Sequence, residues 1–246
     1  MCVICDQIST YTDLRYVNID CKGCPYIRTI PTIPTLRTLD CSGCINLITI
    51  HKQPNLIQLN CKGCISLKTI PFLPVLKILM CSNSAIQELP ILSELEELFC
   101  IGCLNLKEIP FFVNLVNLVC TKCVNLKYIT LLSNLKSLWC EGCLNITSIP
   151  QFPELEYFDC VKCTSLIDVP ILPRLKGISY CNKYKRAFPS SGWLIGFMRK
   201  FMKRREMRKR LRRYIKSNAY REYCIEFYTQ KHDRNMKRIQ KWAENI

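Results

Sequence analysis

Several things are scarce in this chain of 246 residues. It holds two histidines, His51 and His232, beside 19 cysteines. No run of 18 apolar residues occurs, so no membrane-spanning helix is expected. The opening MCVICDQISTYTDLR lacks a basic stretch and a long apolar core, so it does not read as a secretory signal. The cysteines are therefore expected in a reducing, intracellular (cytoplasmic) setting, where disulfides are rare. An odd cysteine total also argues against a fully paired framework. There is no glycine-rich phosphate loop, no H-E-x-x-H and no serine nucleophile motif. An enzyme is not expected, nor a cofactor or a small-molecule substrate.

Acidic residues are scarce at one end. Residues 181–246 hold 20 of the 35 Lys and Arg but 5 of the 19 Asp and Glu. Residues 1–180 hold the other 15 basic and 14 acidic residues and are nearly neutral. This shift places a domain boundary near residue 180.

What the sequence has in abundance is spacing. Cys-x-x-Cys recurs at Cys2/Cys5, Cys21/Cys24, Cys41/Cys44, Cys61/Cys64, Cys100/Cys103, Cys120/Cys123, Cys140/Cys143 and Cys160/Cys163. Taken singly, each pair looks like half of a zinc site. Taken together, they fall into a 20-residue frame, L-x-x-L-x-C-x-x-C-x-x-L-x-x-I-P, from about Tyr16 to Pro173. Leu56, Leu59, Cys61, Cys64, Leu67, Ile70 and Pro71 fill it once; Leu115, Leu118, Cys120, Cys123, Leu126 and Ile129 fill it again, with Thr130 for proline. A half-repeat precedes the full repeats at Cys2, and another follows with Leu175 and Ile178.

The frame dictates local structure. Leu59 and Cys61 are two apart, so they share one strand face while Asn60 takes the other. Gly23, Gly43, Gly63, Gly102 and Gly142 stand between the cysteines, where a bend with positive φ is expected. Closely spaced prolines in IPTIP, IPFLP and IPQFP favour an extended, polyproline-like return. A single unit cannot bury its apolar face; stacking does.

These residues resemble the leucine-rich repeat, L-x-x-L-x-L-x-x-N/C-x-L, over residues 1–180. The short period and the proline return look most like the repeats of secreted bacterial effectors. More loosely, the cysteine-rich array with its basic tail resembles repeat proteins encoded by giant viruses. Two departures stand out: isoleucine before the proline, and cysteine for the last strand leucine. The resemblance implies a leucine-rich-repeat solenoid with a parallel β-sheet on the concave face, extended convex returns and few helices. In the family the second cysteine's position is a buried turn filler. One repeat supports that reading over a metal ladder: LMCSNSAIQELP puts Ser84 there and shortens the loop by one residue. Buried structural cysteines are the expectation, with no metal. Effectors with similar repeats can carry a catalytic ubiquitin-ligase domain, but the remaining 66 residues are too few for it, and Cys181 and Cys224 have no His or Asp partner nearby in sequence.

If Leu59 and Cys61 point inward, the residue before each leading cysteine points out. That row reads Asp20, Asp40, Asn60, Met80, Phe99, Val119, Trp139, Asp159, Ser179. Ile78, Ile101, Tyr157 and Val161 flank it. Contiguous exposed apolar surface marks binding sites. Met80, Phe99, Ile101, Val119, Trp139 and Tyr157 are therefore the candidate contacts of a protein or peptide partner. The alternatives weighed are cover by the chain's own tail and scatter by drift.

From about Ser190 the pattern turns helical, and residues 181–246 are read as a basic α-helical segment with two open roles, capping the solenoid's end with its apolar stripe or binding a polyanion with its basic face. Its Arg199, Lys200, Lys203, Arg204, Arg205, Arg208, Lys209, Arg210, Arg212 and Arg213 are the candidate polyanion contacts, toward nucleic acid or an anionic membrane surface. The same run also reads as a nuclear-localisation signal.

Overall fold

The computed structural model describes residues 16–180 apart from 168 and 171, with 177–180 given by backbone alone. The half-repeat at Cys2/Cys5, the basic segment and its proposed capping role lie outside these residues.

Nine short strands form one parallel sheet: β1 (Asn18–Asp20), β3 (Thr38–Asp40), β5 (Gln58–Asn60), β6 (Ile78–Met80), β7 (Glu97–Phe99), β9 (Asn117–Val119), β11 (Ser137–Trp139), β12 (Tyr157–Cys160) and β13 (Gly177–Tyr180). They stack in that order, so each pairs with the next turn of a β-solenoid. The register preserves the frame: Leu39 sits opposite Leu59, Leu79 opposite Leu98 and Leu98 opposite Leu118. No described residue is helical.

Three-residue strands survive because each coil encloses a dry column. In the third coil Leu59, Cys61, Cys64, Leu67, Ile70, Leu73 and Leu76 all point inward and are buried. After the strand these positions recur every third residue, so each bend turns one side chain in and leaves two out. Burying one such side chain stabilises by about 1.5–3 kcal/mol. Two inward coil positions are polar: Ser84 at a second-cysteine position, and Gln53, buried where Ile33 and Leu73 stand in the neighbouring coils. Its Oε1 accepts from Ile33 N at 2.9 Å, and its Nε2 donates to Pro31 O at 2.6 Å and His51 O at 3.1 Å. The amide is thus fully used, as burial demands.

The bend between the cysteines is left-handed in every described coil. Gly23, Gly43, Gly63, Gly102 and Gly142 have φ of 66–73°, and Asn83, Lys122 and Lys162 adopt 55–61°. That conformation turns the amide toward the next coil: Gly63 N donates to Ser82 O at 2.8 Å, and Lys122 N to Glu141 O at 2.6 Å. An L-residue there costs roughly 1–2 kcal/mol, and glycine's extra chain entropy returns roughly half of that. Lys122→Gly should therefore stabilise by about 0.5–1 kcal/mol. Gly142→Ala should cost about 1 kcal/mol, with no clash, since the added methyl would lie 3.6 Å from Lys122 Cγ. Urea midpoints check both.

The returns differ from the polyproline-like expectation. They pair as short parallel ladders: β2 (Thr29–Ile30) with β4 (Thr49–Ile50), and β8 (Glu108–Ile109) with β10 (Tyr128–Ile129). Thr69 and Glu88 form a single bridge. Proline decides where the ladder lengthens. His51 and Thr130 replace it, and their amides donate to Ile30 O at 2.9 Å and Ile109 O at 3.1 Å. Pro71 and Pro90 have no amide to give, and there only the bridge forms.

Candidate partner-binding face

The strands present two outward rows, because the middle residue of each is buried and its neighbours are not. In the first row Met80 pairs with Phe99, Phe99 with Val119 and Val119 with Trp139. Four apolar side chains thus lie on adjacent strands, about 14 Å from end to end at ~4.8 Å per strand. Asn60 precedes them and Asp159 follows. Ile78 and Tyr157 stand in the second row, where Tyr157 pairs with Ser137, diagonal to Trp139. Such diagonals lie within reach of aromatic side chains. Ile101 lies beyond the strand end, and Asn83 N donates to its carbonyl at 2.7 Å. Trp139 and Tyr157 are the most open of the six, at 46% and 47% exposure. Met80, Phe99, Ile101 and Val119 are half-buried.

A polar residue in the first row has a local job. Asp20, Asp40, Asn60 and Asp159 each accept from the backbone amide two residues on, at 3.0, 2.9, 3.3 and 2.9 Å. These contacts brace the turn that begins at the leading cysteine. Asp40 also accepts from Asn60 Nδ2 at 2.9 Å, with Lys22 3.8 Å away. Partial burial raises its carboxyl's pKa, but the bonds from Ser42 and Asn60 and the Lys22 charge outweigh that and hold it below the usual range. Met80, Phe99, Val119 and Trp139 cannot brace the turn this way. In that stretch Ile101 N turns instead to Ser82 Oγ at 3.1 Å.

The cysteines take the other side of the strand. From Cys44 to Cys163, the second thiol of each pair donates to the leading cysteine's carbonyl one coil back: Cys44 to Cys21 at 3.0 Å, Cys64 to Cys41 at 3.1 Å, Cys103 to Cys81 at 3.1 Å, Cys123 to Cys100 at 2.9 Å, Cys143 to Cys120 at 3.0 Å and Cys163 to Cys140 at 3.0 Å. Ser84, in the shortened coil, bonds Cys81 O of its own coil at 2.6 Å and lies 3.6 Å from Cys103 Sγ. Fifteen cysteines are buried as free thiols. Burial pushes the Cys61 thiol well above its ordinary range; contact with Cys143 and burial do the same to Cys120. Among the described residues no three His, Cys, Asp or Glu converge as metal ligands.

Two features escape a reading confined to the residue before each cysteine. One is a second apolar row on the return: Phe72, Ile91, Phe111 and Leu131, between 49% and 67% exposed, in consecutive coils. Repeat phase alone would have found it, since the same position reads Thr32, Lys52 and Gln151 elsewhere. The other is a pair of asparagine spines. Asn46 and Asn125 amides donate to Pro25 O and Leu104 O at 2.8 Å, and Asn55 and Asn134 to Pro34 O and Val113 O at 2.7 and 2.8 Å. An open groove along the second spine is lined by Glu96, Asn114, Ser133, Asn134, Lys136 and Glu154. Its Asn114 amide, like that of Asn134, is engaged by a backbone carbonyl.

The candidate polyanion contacts Arg199–Arg213 lie outside the described residues. No described helix is long and apolar enough to cross a membrane. No family model, curated protein or solved structure matches the chain.

Proposed function

We propose that this chain is a non-enzymatic scaffold of leucine-rich-repeat type that holds a protein or peptide partner on its nine-stranded sheet. One observation supports this most. At a position where Asp20, Asp40, Asn60 and Asp159 brace their own turns, four consecutive coils instead carry Met80, Phe99, Val119 and Trp139. Each of those coils lacks the side-chain brace of its own row position, Ile101 N being met by Ser82 Oγ instead, and carries exposed apolar surface in its place. Aromatic anchors are also the residues that dominate binding energy at interfaces. Affinity capture from the native cell, with the intact chain against Phe99→Ala/Trp139→Ala, tests the reading; the same partners on both would refute it.

A second reading rests on charge. Residues 181–246 carry 20 of the chain's 35 basic residues, and a polycation of that density binds phosphate-rich polymers or anionic lipid without sequence preference. Retention on duplex DNA or phosphatidylserine vesicles that falls steeply between 50 and 200 mM salt, as expected for roughly 6–10 phosphate contacts, tests it.

A further inference from the structure

In the apolar stretch of the sheet, the three outward positions of each coil carry charge of one sign, with Lys77, Lys122, Lys136 and Lys162 just outside them. From Ile78 to Val161, the two strand rows and the residues following the leading cysteines contain three charged side chains: Glu97, Glu141 and Asp159. All are acidic, although residues 1–180 carry almost equal numbers of acids and bases.

Two of the acids border the aromatic pair. Asp159 sits opposite Trp139 in the register. Glu141 follows Trp139 by two residues, across the buried Cys140. Asp159 has its Val161 amide bond at 2.9 Å, yet burial and the nearby Glu141 charge raise its carboxyl's pKa. Glu141 is joined at 3.1 Å by Lys162, an exposed lysine whose contact a competing cation can displace. Glu97, beside Phe99, faces the Asn117 amide at 3.5 Å. A cation placed over Trp139 would gain the attraction of the ring face and relieve the repulsion between Asp159 and Glu141.

Spacing selects the partner's backbone. The row from Met80 to Trp139 covers three strand intervals, about 14 Å. A helix crossing the strands repeats its apolar face every 5.4 Å, so three turns span about 16 Å. An extended chain repeats every second residue and would need about 20 Å for the same contacts.

We propose that the partner segment is a basic amphipathic helix. Its apolar stripe lies along Met80, Phe99, Val119 and Trp139, and its Lys or Arg residues meet Glu97, Glu141 and Asp159. This rests on the concave-face reading above and adds the partner's chemistry to it.

The test uses the full chain and three fluorescent 14-residue synthetic peptides: an amphipathic helix of leucine and lysine, its uncharged leucine and glutamine counterpart, and a lysine-only peptide. Residues 181–246 hold 20 basic against 5 acidic residues and would capture an acidic control peptide, so the control is uncharged. The expected order of affinity by anisotropy is leucine–lysine first, with the other two at least tenfold weaker. Glu97→Gln/Glu141→Gln/Asp159→Asn should weaken the leucine–lysine peptide at least tenfold, with far-ultraviolet circular dichroism unchanged. Phe99→Ala/Trp139→Ala should abolish its binding. If the aromatic variant loses binding while the neutralised variant keeps it, the face stands and the cationic partner falls. If neither variant changes binding, both readings fall. Equal affinity for the leucine–glutamine peptide, or no binding of the leucine–lysine one, also overturns the proposal.

Discussion

Leu118→Ala should cost about 3–4 kcal/mol of unfolding free energy, whereas Val119→Ala, one residue on, should cost less than about 1 kcal/mol. Leu118 is fully buried in β9, packed between Leu98 and Leu138 on the strands either side. Truncation leaves a cavity in a close-packed column. Val119 faces outward and is half-buried. The effect of Leu118 is sharpened by the architecture: each coil contacts only its neighbours, so a defect in the middle weakens two interfaces at once. Guanidinium unfolding followed at 218 nm measures both. Similar losses at the two positions would mean that the strand faces are assigned the wrong way round.

Phe99→Ala/Trp139→Ala should lower partner affinity by about 100–1,000-fold, equivalent to roughly 3–4 kcal/mol, because central aromatic anchors cost about 2 kcal/mol or more each when truncated and do not sum fully. The fold should change by less than about 1 kcal/mol, since neither side chain belongs to the buried column. Affinity loss with an intact unfolding midpoint separates a binding face from a packing role. Loss of both together would assign Phe99 and Trp139 to the fold. Val119→Ala supplies a graded control from the middle of the same row, with a smaller loss expected because valine has less surface to contribute.

The coil was largely legible before any coordinates, because its logic is local. Leu59 inward, Asn60 outward and Cys61 inward follows from a period of two. The left-handed bend follows from glycine in five of the eight described turns. What local logic could not supply was any bond whose partner lies about 20 residues away. The ladder on the return depends on which coil lacks proline, and so on His51 and Thr130 acting against carbonyls of the preceding coil. The asparagine spines are likewise inter-coil. Ser84 shows a finer limit. The shortened turn was visible, and a swap of filler was the right reading, but its hydroxyl bonds within its own coil where cysteine reaches back to the previous one. A hydroxyl's shorter bond, 2.6 Å against 3.1 Å for a thiol, suits the nearer carbonyl. The row of Phe72, Ile91, Phe111 and Leu131 on the returns follows from the repeat phase alone, because the same position is polar in other coils.

The account turns on the cysteines being stack, with the second thiols from Cys44 to Cys163 hydrogen-bonded to coil carbonyls. Counting reactive thiols with an aromatic disulfide reagent tests that most directly. Four of the 19 cysteines, Cys2, Cys5, Cys181 and Cys224, lie outside the described residues, and the other fifteen are buried. The native chain should react at no more than four sites, and at all 19 in guanidinium, with no zinc released on the way. More than four fast-reacting thiols in the native chain, or stoichiometric zinc set free on unfolding, would contradict the account.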